Sequence, residues 1–341
     1  MADYKPRDER GLVRVQRQSE ITLKILRILN RHGDLQEALG EILRIVQGHL
    51  DIEAVGIRLQ EGDDYPYFVF DGFHDEHILL ENSLCAFDLD GQLLRDDWGN
   101  PALDCMCGNI LHGRFDPGKP FFTEGGSFWT NSTTNLLAST SVEDRMAKTR
   151  DTCNAEGYES VALIPIRDGG ETLGLIQLND SRTGAFNEET IDFLEGLGRI
   201  IGLVLSKIYK EREVLESLGR HMSVFNSVPY PTFIVDPDDF TIIQANDVAL
   251  RARRGPREVK GSTCHLVITG RDTPCELHGE QCPILQMLEE GSMNVTALHS
   301  WVGEHGGVAY VEESASPVRD AEGAIDMVVL VARHITKHDV A

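Results

Sequence analysis

From Glu188 to Val228 the chain contains no proline, and apolar residues recur through that run at spacings of three and four. Ile201, Val204, Ile208, Leu215, Leu218, Met222 and Phe225 fall on one stripe, interrupted by the charged Glu211. A breaker-free run with heptad spacing predicts one long helix carrying a coiled-coil seam. Asn187 supplies a cap oxygen, and Glu188 and Glu189 sit favourably at the positive end of the helix dipole. Such a helix joins two bodies, and 341 residues at ~100–200 per domain are enough for both. The expected layout is an N-terminal tail over 1–18, a first domain over 19–186, a connecting helix or coiled coil over 187–225, and a second domain over 226–338.

Charge narrows what such a protein meets. Asp and Glu number 55 against 32 Lys and Arg, a net charge of −23. A surface this acidic repels phosphate backbones, so no nucleic-acid partner is expected. No apolar run reaches the ~18 residues of a membrane span. Residues Met1 to Glu20 are charged and lack the apolar core of a secretory signal, so a cytoplasmic location without membrane contact is expected. The seven cysteines are Cys85, Cys105, Cys107, Cys153, Cys264, Cys275 and Cys282. In a reducing compartment such thiols are more often buried, metal-binding or redox-active than disulfide-bonded, and an odd number excludes complete intramolecular pairing.

Patterning along the chain fills in the two bodies. Helices are expected over Ser19–Arg31 and after the cap Asp34, where Ala38, Ile42, Ile45, Val46 and Leu50 recur at helical spacing. Ala54–Leu59 and Tyr67–Phe70 read as strands. Gly72 to Asn154 is irregular, with a short helix expected near Gly108–His112. Ser160–Ile166 and Thr172–Leu178 are β-rich and joined by Asp168-Gly169-Gly170, a hairpin signal. Beyond the long helix, Thr232–Val235 and Thr241–Gln244 are expected strands, and helices follow Asn246 and begin at Pro283. The closing runs Asn294–Trp301, Val308–Ala315 and Ala324–Ala332 are strands, the last continuous enough to be central.

The strings Ser160-Val-Ala-Leu-Ile-Pro-Ile166, Gly174-Leu-Ile-Gln-Leu-Asn-Asp180 and Phe186-Asn-Glu-Glu resemble a GAF domain, over about Ser19 to Lys207. Cys105-Met-Cys-Gly-Asn109, Gly126-Ser-Phe-Trp-Thr-Asn-Ser132, Leu137-Ala-Ser-Thr140 and Cys153-Asn-Ala-Glu-Gly-Tyr-Glu-Ser160 resemble a Cys-rich subgroup found in sensor proteins of anaerobes. Pro231-Thr-Phe-Ile-Val-Asp236, Gln244-Ala-Asn-Asp247 and Val331-Ala-Arg-His-Ile-Thr336 resemble a PAS domain, over about Asn226 to Lys337, also of a Cys-rich kind. These resemblances imply an α+β fold: two sensory domains, GAF then PAS, each an antiparallel sheet flanked by helices, joined by a long signalling helix. They also imply a small ligand or cofactor held in the concave face, and dimerisation.

The cysteines carry the candidate chemistry. Cys85, Cys105, Cys107 and Cys153 match in number the ligands of Zn²⁺ or an iron–sulfur cluster, and the C-x-C pair directs both sulfurs to one ion if the backbone turns. Reversible oxidation and burial as inert thiols stay open beside it. A further resemblance supplies an enzymatic alternative. One branch of GAF domains is free methionine-(R)-sulfoxide reductase, in which a Cys before a Gly attacks the sulfoxide. Cys107-Gly108 falls at a similar place, with Cys105 and Cys153 to resolve it, though that branch is a short stand-alone domain. Phe128, Trp129 and Asn131 are candidates to line a small-molecule pocket. In the second domain Cys264, Cys275 and Cys282 have His265 and His278 nearby in sequence, and His278, inside the Cys275–Cys282 loop, completes a Cys₃His metal set. Flavin is not expected, because Gly261-Ser-Thr-Cys264 lacks the Asn, Arg and Gln of the flavin photosensor motif. Haem ranks below zinc and iron–sulfur, with no C-x-x-C-H present.

No Walker loop, nucleotide-cyclase signature or helix-turn-helix occurs, and five residues follow Thr336. The expectation is a homodimeric, non-enzymatic sensory module that detects redox state, a metal or iron–sulfur centre, or a small ligand. Its output would pass to a separate signalling protein such as a histidine kinase or regulator.

Overall fold

Strand alternation builds the first sheet and decides what each face sees. The computed structural model describes residues 9–29, 31, 33–96, 99–146, 149–252, 258–302 and 308–335. The chain divides into two units, Met1–Arg212 and Glu213–Ala341. In the first, β1 (Ala54–Leu59), β2 (Tyr67–Asp71), β3 (Phe128–Thr130), β4 (Ser160–Asp168) and β5 (Glu171–Asp180) form an antiparallel sheet in the order β2-β1-β5-β4-β3. The β4–β5 hairpin closes with Asp168 opposite Glu171, and Gly169 takes the left-handed backbone (φ 59) that this two-residue turn needs.

Successive side chains of a strand point to opposite faces. Ala162, Ile164 and Ile166 of β4, with Ile176 and Leu178 of β5, face the helices α1 (Glu9–Leu29), α2 (Leu35–Leu50) and α8 (Glu188–Ser227). Asp34 caps α2 by accepting from the amides of Gln36 and Glu37, and Leu39, Ile42, Leu43 and Val46 form its buried stripe. Asn187 caps α8 by accepting from the Thr190 amide at 2.9 Å. Gly198 and Gly202 let α8 lie close on the hairpin, because a Cβ at either would stand 2.5 Å from the Pro165 carbonyl oxygen or 2.1 Å from that of Arg167.

The opposite face of the sheet is covered by the segment between β2 and β4. It reads as irregular in sequence, yet among the described residues it holds β3 and five short helices: α3 (Asp75–Glu81), α4 (Cys105–Leu111), α5 (Thr133–Ser139), α6 (Val142–Arg145) and α7 (Thr152–Ala155). Each is too short for a periodic pattern to show. A second core forms there from Phe73, Leu84, Ile110, Phe122, Val161, Leu163 and Leu175, among others. The segment expected as a tail through residue 18 is already helical from Glu9, in continuity with α1.

In the second unit the sheet order is β7-β6-β10-β9-β8, antiparallel throughout. Its strands are β6 (Thr232–Val235), β7 (Ile242–Ala245), β8 (Val295–Val302), β9 (Val308–Arg319) and β10 (Ile325–Ile335), so the continuous apolar run is central. Helices α9 (Asp247–Ala252), α10 (Cys264–Thr269) and α11 (Pro283–Glu290), with a 3₁₀ turn at Cys275–His278, cover it. Asn246 is fully buried: its oxygen accepts from the amides of Thr232 (3.0 Å) and Ala249 (2.8 Å), and its amide donates to the Tyr230 carbonyl (2.9 Å). That pairing ties the start of the sheet to α9 and explains the Gln244-Ala-Asn-Asp247 string. Thr336 lies outside the described residues. The fold is therefore α+β, two antiparallel sheets flanked by helices with a long helix between them.

Candidate functional site

Two residues apart on a regular helix point to nearly opposite sides, so a C-x-C pair shares a site only if the backbone is broken between or before its members. Cys105 opens α4 in the left-handed region (φ 65), a conformation costing a non-glycine residue roughly 1–2 kcal/mol. Gly108 lets α4 close up behind it, since a Cβ there would stand 2.6 Å from the Leu103 carbonyl oxygen. The result is that Cys105 and Cys107 share a contact, with Cys153 of α7 beside them, and all three line a cavity of about 60 Å³ together with Glu81, Phe128 and Arg150. That volume holds a few waters or a small reactant.

The sheet floors this cavity. Gln177 of β5 is buried, with its amide oxygen 3.9 Å from the Cys107 sulfur and its amide nitrogen 3.9 Å from the Cys153 sulfur. A polar chain runs back from it: Tyr67 donates to Gln177 at 2.8 Å, Nε2 of the fully buried His77 stands 3.2 Å from the Tyr67 hydroxyl, and His77 Nδ1 lies 2.7 Å from the Glu156 carboxylate. Arg58, 1% exposed, lies over the Tyr67 ring at 3.6 Å and donates to the carbonyls of Tyr65, Glu81 and Asn82. A buried cation is tolerated there because it meets the carbonyl-rich end of α3.

Within the trio the proton is unequally shared. The Cys107 thiol beside it draws the Cys105 pKa down to about 7, helped by the amides of Arg150 and Met106 and opposed by burial. The same contact, with burial, holds Cys107 well above the ordinary thiol range. Burial, then the neighbouring Cys105 charge, pushes Cys153 up to about 12. Cys105 is therefore the thiol of the three that ionises most readily.

The four-thiol set expected here is not assembled. Cys85 donates to the Asp63 carbonyl at 3.4 Å, and burial and the Asp64 carboxylate raise it to about 11. Among the described residues, no group of three or more His, Cys, Asp or Glu is arranged to hold a metal ion. The aromatic segment also divides by strand alternation. Phe128 reaches the cavity, whereas Trp129 packs against the helix-side core. Asn131 is occupied by the Phe186 backbone, accepting at 3.0 Å and donating at 2.9 Å. Neither Trp129 nor Asn131 lines the pocket expected of them.

In the second unit Cys264, Cys275 and Cys282 come together, but His278 is exposed and bonded to Thr273 at 2.8 Å. His265 is turned to Thr263 at 3.0 Å. The histidine nearest Cys282 by its contacts is His299 of β8, with Nε2 2.8 Å from the carbonyl oxygen of the preceding residue Gln281. Sequence reading missed it, as it missed Gln177, Asn179, which accepts from the Gln177 amide at 3.2 Å, and Glu313, whose Oε1 lies 3.4 Å from His299 Nδ1. One signal marks all four: a polar or ionisable residue at an inward position of an otherwise apolar strand. Arg58 carries the same mark, a charge in the apolar strand Ala54–Leu59, whereas His77 and Tyr67 do not.

A family profile for the GAF domain matches residues 34–205, half of the chain, and one for the PAS fold matches residues 225–339. No curated protein sequence matches the chain. Similar solved structures include the GAF domain from an Acinetobacter phosphoenolpyruvate-protein phosphotransferase, at 11% identity over 57% of this chain and 95% of that one (TM-score 0.38). Another is free methionine-R-sulfoxide reductase from Neisseria meningitidis in complex with its substrate, at 12% identity over 60% of this chain and 95% of that one (TM-score 0.38).

Proposed function

The chain belongs to the GAF family and carries a PAS fold behind its GAF domain, and we propose that it is a redox-responsive sensory module whose first unit receives the signal at Cys105. One observation carries this reading: the thiols of Cys105, Cys107 and Cys153 line one small cavity, and the first of them is lowered to about 7 by its neighbour Cys107. A hydroperoxide fits that geometry. The Cys105 thiolate takes the terminal oxygen, the O–O bond breaks, and the departing alkoxide takes up a proton. Cys107 or Cys153 then displaces hydroxide from the sulfenic acid, which leaves as water with the second thiol's proton. The net change is two thiols and ROOH to a disulfide, ROH and water. The long helix α8 leaves the sensing unit's core and is the element to transmit it, as a homodimer, to a separate signalling protein such as a histidine kinase or regulator.

The test is peptide mapping of the anaerobically purified full chain after one equivalent of hydrogen peroxide. The expected product links Cys105 to Cys107 or Cys153, and Cys105→Ser abolishes it. Zinc or acid-labile sulfide bound stoichiometrically to these cysteines would contradict the reading. So would turnover of free methionine sulfoxide that survives Cys105→Ser and is lost in Cys107→Ser.

A further inference from the structure

Gln177 stands at an inward position of β5, 2% exposed, between the sulfurs of Cys107 and Cys153. The two ends of its amide do opposite things, and its other partners decide which end faces which sulfur. Arg58 Nε, which can only donate, lies 3.5 Å from Oε1, and the Tyr67 hydroxyl donates to the same atom at 2.8 Å. Those donors identify that end as the carbonyl oxygen. The other end, Nε2, donates to Asn179 Oδ1 at 3.2 Å. Cys107 therefore meets the oxygen as a donor at 3.9 Å, and Cys153 Sγ meets the N–H end as an acceptor at 3.9 Å.

Packing holds this orientation in place. The Tyr67 ring crosses β1 at Gly56, where a Cβ would stand 2.8 Å from Tyr67 Cε1, and the Arg58 guanidinium lies over its face at 3.6 Å. A hydroxyl has one proton, and Tyr67 spends it on Gln177, so His77 Nε2 at 3.2 Å donates to the Tyr67 oxygen. His77 is held in turn. It stacks on Phe73, with ring centroids 4.7 Å apart and 9° between the planes, and its Nδ1 lies 2.7 Å from the Glu156 carboxylate. Turning the Gln177 amide over would set two donors, its own Nε2 and Arg58 Nε, against each other in the core.

A hydrogen bond to the charged form of a group favours that form, and one to the neutral form disfavours ionisation. The carbonyl end of Gln177 thus keeps the proton on Cys107, and the N–H end favours a thiolate at Cys153. We propose that Gln177 is a positioning residue that makes Cys153, not Cys107, the thiol that captures Cys105 after oxidation, a role that rests on the reading of Cys105 as the oxidised thiol. The hydroperoxide leaves Cys105 as a sulfenic acid. Cys153 then gives up its proton and its sulfur forms an S–S bond with Cys105. The S–O bond breaks, and the departing hydroxide takes that proton to leave as water. One thiol and one sulfenic acid give a disulfide and water, with no further oxidant.

Peptide mapping tests it on the full chain, reduced under anaerobic conditions and then treated with one equivalent of hydrogen peroxide, in the wild type, Gln177→Met and Tyr67→Phe. The wild type is expected to link Cys105 to Cys153. Gln177→Met keeps the length of the side chain and removes both hydrogen bonds to sulfur. The ratio of Cys105–Cys153 to Cys105–Cys107 crosslink is then expected to fall about tenfold or more, while dimedone present during oxidation still traps Cys105 as a sulfenic acid. A preserved first step with a redirected second is a signature that a packing role would not produce. Tyr67→Phe keeps the ring but removes a donor that orients the amide, so it shifts the ratio the same way and serves if Gln177→Met does not fold. A wild-type link from Cys105 to Cys107, or a ratio unchanged in the folded variants, would overturn the role of Gln177 and leave the reading of Cys105 standing. No Cys105 crosslink in the wild type would overturn that reading, and the role of Gln177 with it.

Discussion

Cys105 illustrates how a side chain's chemistry is made by its neighbours rather than by its type. An ordinary thiol is protonated at neutral pH, but the adjacent Cys107 thiol and two backbone amides bring Cys105 to about 7. The direction sets a pH dependence. A depressed pKa means the thiolate is populated above pH 7 and is lost about tenfold per unit below it. Iodoacetamide labelling of Cys105, followed by peptide mass spectrometry, is therefore expected to rise through an inflection near pH 7; an inflection near 9 would contradict the arrangement. Sequence reading found the cysteines but not their roles. The Cys107-Gly108 string offers Cys107 as an alternative nucleophile, but the left-handed turn at Cys105, which sets the pair beside one another and leaves the Cys107 thiol raised, has no mark in a C-x-C string.

At the scale of elements, strands and capped helices were legible and the covering segment was not. The β4–β5 hairpin, the Asp34 cap and the start of α11 at Pro283 all lie where periodicity and turn chemistry put them. The five short helices between β2 and β4 are held by tertiary contacts such as those of Arg58 with Glu81 and Asn82, which no local pattern announces. α8 shows both regimes within one helix. Ile201 and Leu205 are buried in the first unit, while Leu215 and Leu218 are 68% and 55% exposed. Its glycines divide in the same way. Gly202→Ala drives a methyl into the Arg167 backbone and is expected to destabilise the first unit by about 3 kcal/mol or more in urea denaturation. Gly219→Ala meets nothing within 4 Å and should stabilise the helix by up to ~1 kcal/mol. Equal effects from the two would contradict the close seating of α8.

At the scale of the whole molecule, the chain carries a net charge of −23 and a helix whose second half exposes an apolar stripe. No described helix is long and apolar enough to cross a membrane. The proposed homodimer uses the stripe of Leu215, Leu218 and Met222. Light scattering is expected to give twice the 37.9 kDa chain mass, falling to the monomer in Leu218→Glu. A wild-type monomer at micromolar concentration would remove the seam from the account.

Sensing further requires that chemistry at Cys105 change α8, since a signal shifts an equilibrium only through a difference between two states. The direct measurement is hydrogen–deuterium exchange across residues 188–227 before and after one equivalent of hydrogen peroxide. The account predicts altered exchange along α8 that disappears when Cys105→Ser is added. Oxidation of the thiols with α8 unchanged, or the same change without Cys105, would contradict it.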